Sequence, residues 1–170
     1  MQKLLDNITQ IIDLSTVETE LIIRAFYPVK VSKGQFWIRE GTICNQVAFL
    51  ASGKLRVHYI DSLGSEHTCY FFTAGRFISS FTSFLTGTPT VESISAIEPT
   101  VLWVIDRQQL EKLCDAIPKL HIWRRVIAEN LFIEMEKRIS KLQSLTAAER
   151  YDQLIGENPD IILSVPLQYT

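Results

Sequence analysis

The stretch Val47-Ala48-Phe49-Leu50-Ala51-Ser52-Gly53-Lys54-Leu55-Arg56-Val57 decides the fold of this chain. Apolar residues run up to Gly53 and resume directly after it, as they do where two strands are joined by a tight turn. Glycine suits that point because tight turns often need a positive φ, which residues with a Cβ rarely adopt. The stretch therefore predicts two short strands in an antiparallel architecture.

The same alternation of short strands and glycines continues on both sides. The glycines Gly34, Gly41, Gly53, Gly64 and Gly75 are separated by 7, 12, 11 and 11 residues. Short strands with a regularly spaced turn glycine predict a closed or rolled antiparallel sheet, and residues 61–65 are its clearest hairpin turn. The predicted strands are Val29–Val31, Phe36–Ile38, Val47–Leu50, Leu55–Ile60, Thr68–Phe72, Ser93–Ile97 and Val101–Ile105.

Helical patterns flank the predicted strands. Residues Leu4–Ile12 repeat at the spacing of one helix face, and Ser15–Glu18 has the form of a capping box that opens a second helix. Asp106 is expected to cap a later helix, which is followed by one long helix from Lys119 to Gln143, and Thr146 opens a last helix. The predicted fold is mainly β with flanking helices (α+β): a double-stranded β-helix or jelly-roll β-roll and a long C-terminal helix.

The long helix carries more apolar surface than a small β-roll can cover. At 1.5 Å per residue it is roughly 36 Å long. We expect one apolar stripe to pack on the roll and the other on the same helix of a second copy, which predicts a homodimer. The alternative is that both stripes belong to one intramolecular core. The expected dimer stripe is Ala128, Phe132, Met135, Ile139 and Leu142, with spacings of 4, 3, 4 and 3, and the second is Leu120, Trp123, Ile127 and Leu131.

Composition argues against several classes of protein. The net charge of −2 over 170 residues does not suit a nucleic-acid binder held by bulk positive charge. Cys44, Cys69 and Cys114 are too widely spaced for a zinc motif or a disulfide framework. No apolar run approaches the ~20 residues that span a bilayer, and the N-terminus lacks the pattern of a leader peptide. We expect a cytoplasmic protein with no membrane partner.

No catalytic or metal-binding pattern stands out. The histidines His58, His67 and His121 are singly placed. His58 and His67 are able to face each other across the predicted hairpin, but two ligands are too few for a convincing metal site. Nucleophile-elbow, P-loop and dinucleotide fingerprints do not occur. We therefore expect no enzymatic activity, no metal and no cofactor.

The order of these elements resembles the Crp/Fnr family of transcription regulators. The likeness rests on Lys33–Gln35, Gly41, the stretch Val47–Val57, Gly64, Phe71–Gly75 and Ser95–Thr100. It implies a sensor β-roll of the cyclic-nucleotide-binding type, with its N-terminal helices, over residues 1–116. It further implies a dimerisation helix over residues 117–145.

The C-terminal part resembles the Bacteroidetes-type branch of that family. The matching segments are Arg138–Leu142, Ala148–Tyr151 and Val165–Tyr169. The resemblance implies that residues 146–170 are a hinge and the start of a winged helix-turn-helix, whose recognition helix lies outside this chain. We expect the sequence to be part of a longer protein that binds DNA through that unit; the alternative is a protein that has lost it.

In that family a phosphate-binding cassette follows the glycine that matches Gly75. It uses the N–H groups of a short helix, an arginine for the cyclic phosphate and a glutamate for the ribose hydroxyl. By the resemblance, Thr90 stands at the arginine position, Val91 at the next small residue, Ser80 at the glutamate position and Glu92 at an alanine position. Losing two charged hydrogen bonds of about 1.5–3 kcal/mol each weakens binding by roughly two to four powers of ten. We therefore expect no physiological response to cyclic AMP.

What remains is a segment rich in hydroxyls and aromatic rings. The candidate pocket residues are Phe77, Ser79, Ser80, Phe81, Ser83, Thr90, Val91 and Glu92. Such a lining suits a neutral or amphipathic small-molecule effector; a pocket filled by its own side chains is the alternative, and Arg76 is expected on the turn in solvent. The expected function is that of the sensor and dimerisation region of a Crp/Fnr-type regulator, and a ligand-free dimerisation scaffold is the alternative.

Overall fold

The computed structural model describes residues 1–157, which fall into two compact units, Met1–Trp123 and the chain from Arg124 onward. The strands are β1 (Tyr27–Val31), β2 (Phe36–Ile38), β3 (Gln46–Ser52), β4 (Lys54–Ile60), β5 (Glu66–Thr73), β6 (Phe77–Ile78), β7 (Ser93–Ala96) and β8 (Thr100–Asp106). The helices are α1 (Gln2–Thr9), α2 (Thr16–Ala25), α3 (Phe81–Thr86), α4 (Arg107–Ala116), α5 (Leu120–Ser144) and α6 (Ala147–Glu157). Every predicted strand is present; only β6, two residues long, was not predicted.

The strands form two antiparallel sheets that enclose the core of the first unit. One sheet has the order β1-β8-β3-β6 and the other the order β2-β7-β4-β5. Both sheets contribute inward side chains to a single apolar cluster, for example Ala48 and Leu102 from the first and Leu55, Val57 and Ile94 from the second. This arrangement confirms the predicted mainly β, rolled architecture.

Gly53 lies where the chain passes from one sheet to the other, between β3 and β4. Its φ is +92°, and a Cβ there would lie 2.4 Å from Thr100 Oγ1, 2.7 Å from Thr100 Cα and 2.8 Å from Pro99 O. Both the backbone conformation and the close approach exclude a side chain at this turn. Glycine at this position therefore permits the tight turn by which the chain leaves β3 in one sheet and enters β4 in the other.

The capping box of α2 is present as predicted. The Ser15 N–H donates to Glu18 Oε2 at 2.7 Å, and the Glu18 N–H donates to Ser15 Oγ at 3.3 Å. Lys119 Nζ lies 2.8 Å from the same carboxylate. The hydrogen bonds from Lys119 and from Ser15 lower the pKa of Glu18 to about 2. One carboxylate thus caps α2 and also holds the residue that precedes α5.

Asp106 is the N-cap residue of α4, as predicted, but its carboxylate is used elsewhere. Asp106 occupies the residue before α4, but its side chain makes no capping hydrogen bond. Its carboxylate instead accepts from Gln46 Nε2 at 3.0 Å and from the Tyr27 hydroxyl at 3.3 Å. Side chains from β1 and β3 compete successfully for the oxygen atoms because those strands flank β8 in the sheet.

The long helix α5 belongs to both units. Its first turn is buried in the first unit through Leu120 and Trp123, and the helix continues without a break to Ser144. A second reciprocal capping box then opens α6, where the Thr146 N–H donates to Glu149 Oε2 at 2.8 Å and the Glu149 N–H donates to Thr146 Oγ1 at 3.3 Å. Among residues 1–157 no helix is long and apolar enough to span a membrane. The predicted helix-turn-helix lead-in, Val165–Tyr169, lies outside the described residues.

Candidate functional site

The candidate pocket segment begins at β6 and ends at β7. Two residues, Phe77 and Ile78, pair with Phe49 and Ala48 of β3, and the chain then enters the six-residue helix α3. Gly87 ends α3 in the left-handed conformation, with φ of +74°. The segment thus connects β6, an edge strand of one sheet, to β7 in the other sheet, as expected for a cassette inserted into a β-roll.

The hydroxyls of Ser80 and Thr90 bond to each other. Their oxygen atoms are 2.8 Å apart, and both side chains are buried. Thr90 Oγ1 also lies 3.1 Å from the carbonyl oxygen of Glu92 and accepts from the Glu92 N–H at 3.2 Å. The two positions that the resemblance assigns to ligand-binding charged residues therefore satisfy one another inside the protein.

The other buried hydroxyls tie the segment to residues 41–46. Ser79 Oγ donates to the Gln46 carbonyl at 2.8 Å and lies 3.4 Å from Cys44 Sγ. Ser83 Oγ accepts from the Cys44 N–H at 2.9 Å and donates to the Thr88 carbonyl at 2.6 Å. These contacts use hydroxyl atoms that were expected to line a ligand pocket.

Backbone hydrogen bonds also join the C-terminal end of the cassette segment to residues 41–46. The Gly41 N–H donates to the Thr90 carbonyl, and the Thr90 N–H donates to the Thr42 carbonyl, both at 2.8 Å. Ile43 and Pro89 form an isolated antiparallel bridge between these two contacts and α3. Residues 41–46 were not predicted to belong to the site, and Cys44, a buried thiol in a loop, carried no motif that would have revealed it.

The remaining candidate residues occupy different environments. Phe77 is buried and its ring packs on Phe49, with centroids 5.1 Å apart, and edge-on against Trp123 at 4.8 Å. Phe81 and Glu92 are half-buried, whereas Val91 is 78% exposed. The expectation of Val91 as a pocket-lining residue is therefore not supported by its exposure. Arg76 is exposed on the turn before β6.

The predicted dimer stripe is exposed along its whole length. Phe132 is 64% exposed, and Ala128, Met135, Ile139 and Leu142 are exposed as well. The second stripe behaves differently, because Leu120 and Trp123 are buried and Ile127 and Leu131 are half-buried. Ala128, Phe132 and Ile133, with Glu129, line a shallow open groove.

His58 and His67 do not face each other across the hairpin. His58 pairs with Thr68 and His67 with Tyr59, so the two histidines are neighbours in register and their side chains lie apart. His58 is buried, whereas His67 stacks on Tyr59 and bonds to Asp61 Oδ2 at 2.8 Å. Within residues 1–157 no three histidine, cysteine, aspartate or glutamate side chains are grouped so that they could hold a metal ion.

Comparisons with known proteins give the family. The model of the cyclic nucleotide-binding domain matches residues 28–116 of this chain. A comparison with proteins of curated function found no match.

Solved structures share the fold. A cyclic nucleotide-binding domain from Methylobacillus flagellatus KT is 21% identical, with 85% of this chain and 84% of that chain covered and a TM-score of 0.72. A protein from Eubacterium rectale described as a regulator of the Crp/Fnr family is 19% identical, with 88% and 69% covered and a TM-score of 0.70. The catabolite activator protein of Thermus thermophilus is 23% identical, with 76% of this chain covered and a TM-score of 0.62.

This chain spans only 61% of the Thermus thermophilus protein, so the activity of a whole regulator does not follow from the likeness. The family model, in contrast, covers more than half of the 170 residues and extends from β1 to the end of α4. The two-sheet roll, the inserted cassette and this match together establish that the chain belongs to the cyclic nucleotide-binding domain family.

Proposed function

We propose that this chain is the sensor and dimerisation region of a Crp/Fnr-type transcription regulator. The observation that carries the proposal is the apolar stripe of α5, which follows a β-roll of the cyclic nucleotide-binding family and is exposed in the part of the chain that the structure describes. A sustained 4-3 spacing is the pattern by which two helices pair, with each apolar side chain inserted between residues of the facing helix. The occupant proposed for the stripe is therefore α5 of a second copy.

The charges beside the stripe favour a parallel pair. With Phe132 and Ile139 at a positions, Glu129 and Glu136 stand at e positions and Arg124 at a g position. Antiparallel helices bring e positions together, which would set Glu129 against Glu136 of the second copy. Parallel helices bring g against e, which would set Arg124 near Glu129. A parallel two-fold pair carries both C-terminal segments at one end, as two DNA-binding units on a palindromic site require.

The proposed regulator does not respond to cyclic AMP. Support comes from the Ser80–Thr90 hydrogen bond of 2.8 Å, because neither hydroxyl carries the positive charge that a cyclic phosphate needs. Binding would also break bonds that these buried hydroxyls already make. An effector, if one acts, has to be a different small molecule, and the proposal assigns no enzymatic activity to the chain.

A second candidate is a dimerisation scaffold without any ligand. It is favoured by the hydroxyls of Ser79, Ser80, Ser83 and Thr90, all of which have partners within the protein. The two candidates share the dimer and differ in the role of the cassette.

Two measurements test these proposals. Sedimentation velocity over a range of concentrations should give twice the chain mass, and a monomer at every concentration would overturn both candidates. Thermal unfolding with a metabolite set separates them, because a ligand at 100 times its Kd adds about 2.7 kcal/mol to the folded state. A stabilising metabolite supports the regulator with an effector. A stabilisation by cyclic AMP or cyclic GMP would refute the argument that Ser80 and Thr90 leave the cassette unable to bind a cyclic nucleotide.

A further inference from the structure

Two buried ionisable side chains, Arg56 and His58, lie on the outer face of the sheet that contains β2, β7, β4 and β5. Leu55 and Val57 point into the core, so Arg56 and His58, which alternate with them along β4, point to the opposite face. That face would ordinarily be open to solvent, yet Arg56 is only 4% exposed and His58 only 3% exposed. Ionisable side chains are rarely buried to this degree unless they are paired. The pair lies outside the cassette and has no role in the function proposed above.

The surroundings of His58 come from all four strands of that sheet. The Phe36 ring on β2 is 5.8 Å from the imidazole, and the Arg39 guanidinium lies over that ring at 4.0 Å. Ser93 of β7 is opposite His58, and its hydroxyl accepts from the Glu40 N–H at 3.0 Å. The charged groups that act on His58 are Arg56 on the same strand, Glu66 on β5 and Glu40 after β2. Arg56 is already paired with Glu66.

The geometry suits a neutral imidazole and disfavours a charged one. Nδ1 of His58 is buried and has no hydrogen-bond partner among residues 1–157. A neutral ring can leave that nitrogen without a proton, whereas an imidazolium carries a donor on both nitrogens and needs an acceptor for each. Proton uptake would also set a second cation beside Arg56. Burial, and after it the charge of Arg56, lower the pKa of His58, while Glu66, a hydrogen bond to the Arg56 backbone and Glu40 oppose that shift.

We propose that His58 is a proton-sensitive switch, which keeps the β4–β5 hairpin closed when neutral and loosens it when protonated in mild acid. The ladder has a register shift between Val57 and His58, so His58 is the first residue after an irregularity in the pairing. The segment beyond it carries the exposed side chains of Tyr59, Ile60 and Leu63. Loosening at His58 would therefore change how this apolar hairpin tip is presented, independently of any small-molecule effector.

The direction of the pH effect follows from linkage. The closed hairpin holds His58 neutral, whereas an opened hairpin lets it take up a proton near the ordinary pKa of about 6.5. The stabilisation is therefore complete above about pH 6.5 and is lost as the pH falls below it. Glu66 and Asp61 on the same hairpin have lowered pKa values, caused first by their hydrogen bonds to Arg56 and His67. The contributions of these two carboxylates to stability are lost only at more acidic pH. The effect of His58 protonation is therefore observed at a higher pH than that of carboxylate protonation.

Hydrogen exchange between pH 7.5 and 5.5, corrected for intrinsic rates, tests the switch. In wild type, the protection of amides in residues 54–60 and 66–73 should fall with acid by up to ~10-fold per pH unit, the limit for one proton. His58→Gln should make that protection independent of pH over this range. His121→Gln, which replaces an exposed histidine at the start of α5, should behave as wild type. An equal loss of protection in His58→Gln would overturn the proposal.

A measurement on the unaltered protein covers the case in which His58→Gln fails to fold. The imidazole signals of His58, followed by NMR, should titrate below the ordinary histidine range, and the β4–β5 amide shifts should follow the same midpoint. A His58 midpoint at or above that range, or hairpin shifts that ignore the midpoint, would refute the switch.

Discussion

The β-roll and the part of α5 beyond Trp123 differ in the burial of their apolar side chains. In the roll, side chains from both sheets meet in one buried cluster, and the hydroxyls of the cassette are bonded within the protein. Beyond Trp123, Phe132, Met135, Ile139 and Leu142 stay exposed. The core side chains of the roll are therefore buried, whereas the apolar side chains of this helix are exposed. We therefore expect the chain to associate through α5, and we expect the cassette of the roll not to bind cyclic AMP.

The largest effect is expected from a charge in the stripe. Phe132→Glu would place a carboxylate in each half of a paired interface without a partner, which costs several kcal/mol per dimer. We expect the dimer Kd to rise more than ~1000-fold, a change of about 4 kcal/mol, with the circular dichroism of the roll unchanged. Sedimentation velocity measures it. Lys137→Glu, at an exposed position off the stripe, is the matched control and should remain dimeric. An unchanged mass for Phe132→Glu would mean that the stripe is not the interface.

Gly53→Ala should damage the roll and leave association intact. The added Cβ meets backbone atoms of Pro99 and Thr100 at less than 3 Å, and φ is +92°. Backbone strain and overpacking together should lower the free energy of unfolding by about 3 kcal/mol, measured by urea denaturation. Gly64→Ala is the control, because its φ is +83° but the space around it is open; it should lose only about 1 kcal/mol. Equal losses would show that the contact with Thr100 is unimportant.

A smaller effect is expected in the cassette. Thr90→Val keeps the shape of the side chain and removes its hydroxyl, so Ser80 loses its 2.8 Å partner and the Glu92 N–H loses its acceptor. The free energy of unfolding should fall by about 1–3 kcal/mol. Thr82→Val, on the exposed side of α3, should change it by less than ~0.5 kcal/mol. Thermal denaturation of both variants measures the two changes. An unchanged unfolding free energy in Thr90→Val would argue against a stabilising role of the Ser80–Thr90 hydrogen bond.

The smallest effects compare the two capping boxes, one in each region. Ser15→Ala removes the cap of α2, which is packed in the roll, and should lower the unfolding free energy of the roll by about 1 kcal/mol. Thr146→Ala removes the matching cap of α6 and should leave the unfolding of the roll unchanged while reducing helical content beyond residue 145. A loss of roll stability in Thr146→Ala would show that the two regions unfold together.

Local patterns predicted most of the elements. Turn glycines and β-branched runs located seven of the strands, and capping boxes located the starts of α2 and α6, because these signals lie within a few residues of the element they specify. Strand β6 escaped because two residues carry no periodicity. Asp106 is at the predicted N-cap position of α4, but its carboxylate bonds to Tyr27 and Gln46, which are 79 and 60 residues away along the chain.

The sequence by itself determined the alternation of strands and glycines, the 4-3 spacing of the apolar stripe on the long helix and the absence of charged residues at the two cassette positions. Tertiary structure alone decided that Ser80 and Thr90 bond each other, that residues 41–46 complete the cassette, and that Arg56 and His58 are buried on a face that alternation assigns to solvent. The physical reason is range. Propensity and periodicity act over a few residues, whereas hydrogen-bond satisfaction and burial depend on partners that only the folded chain brings together.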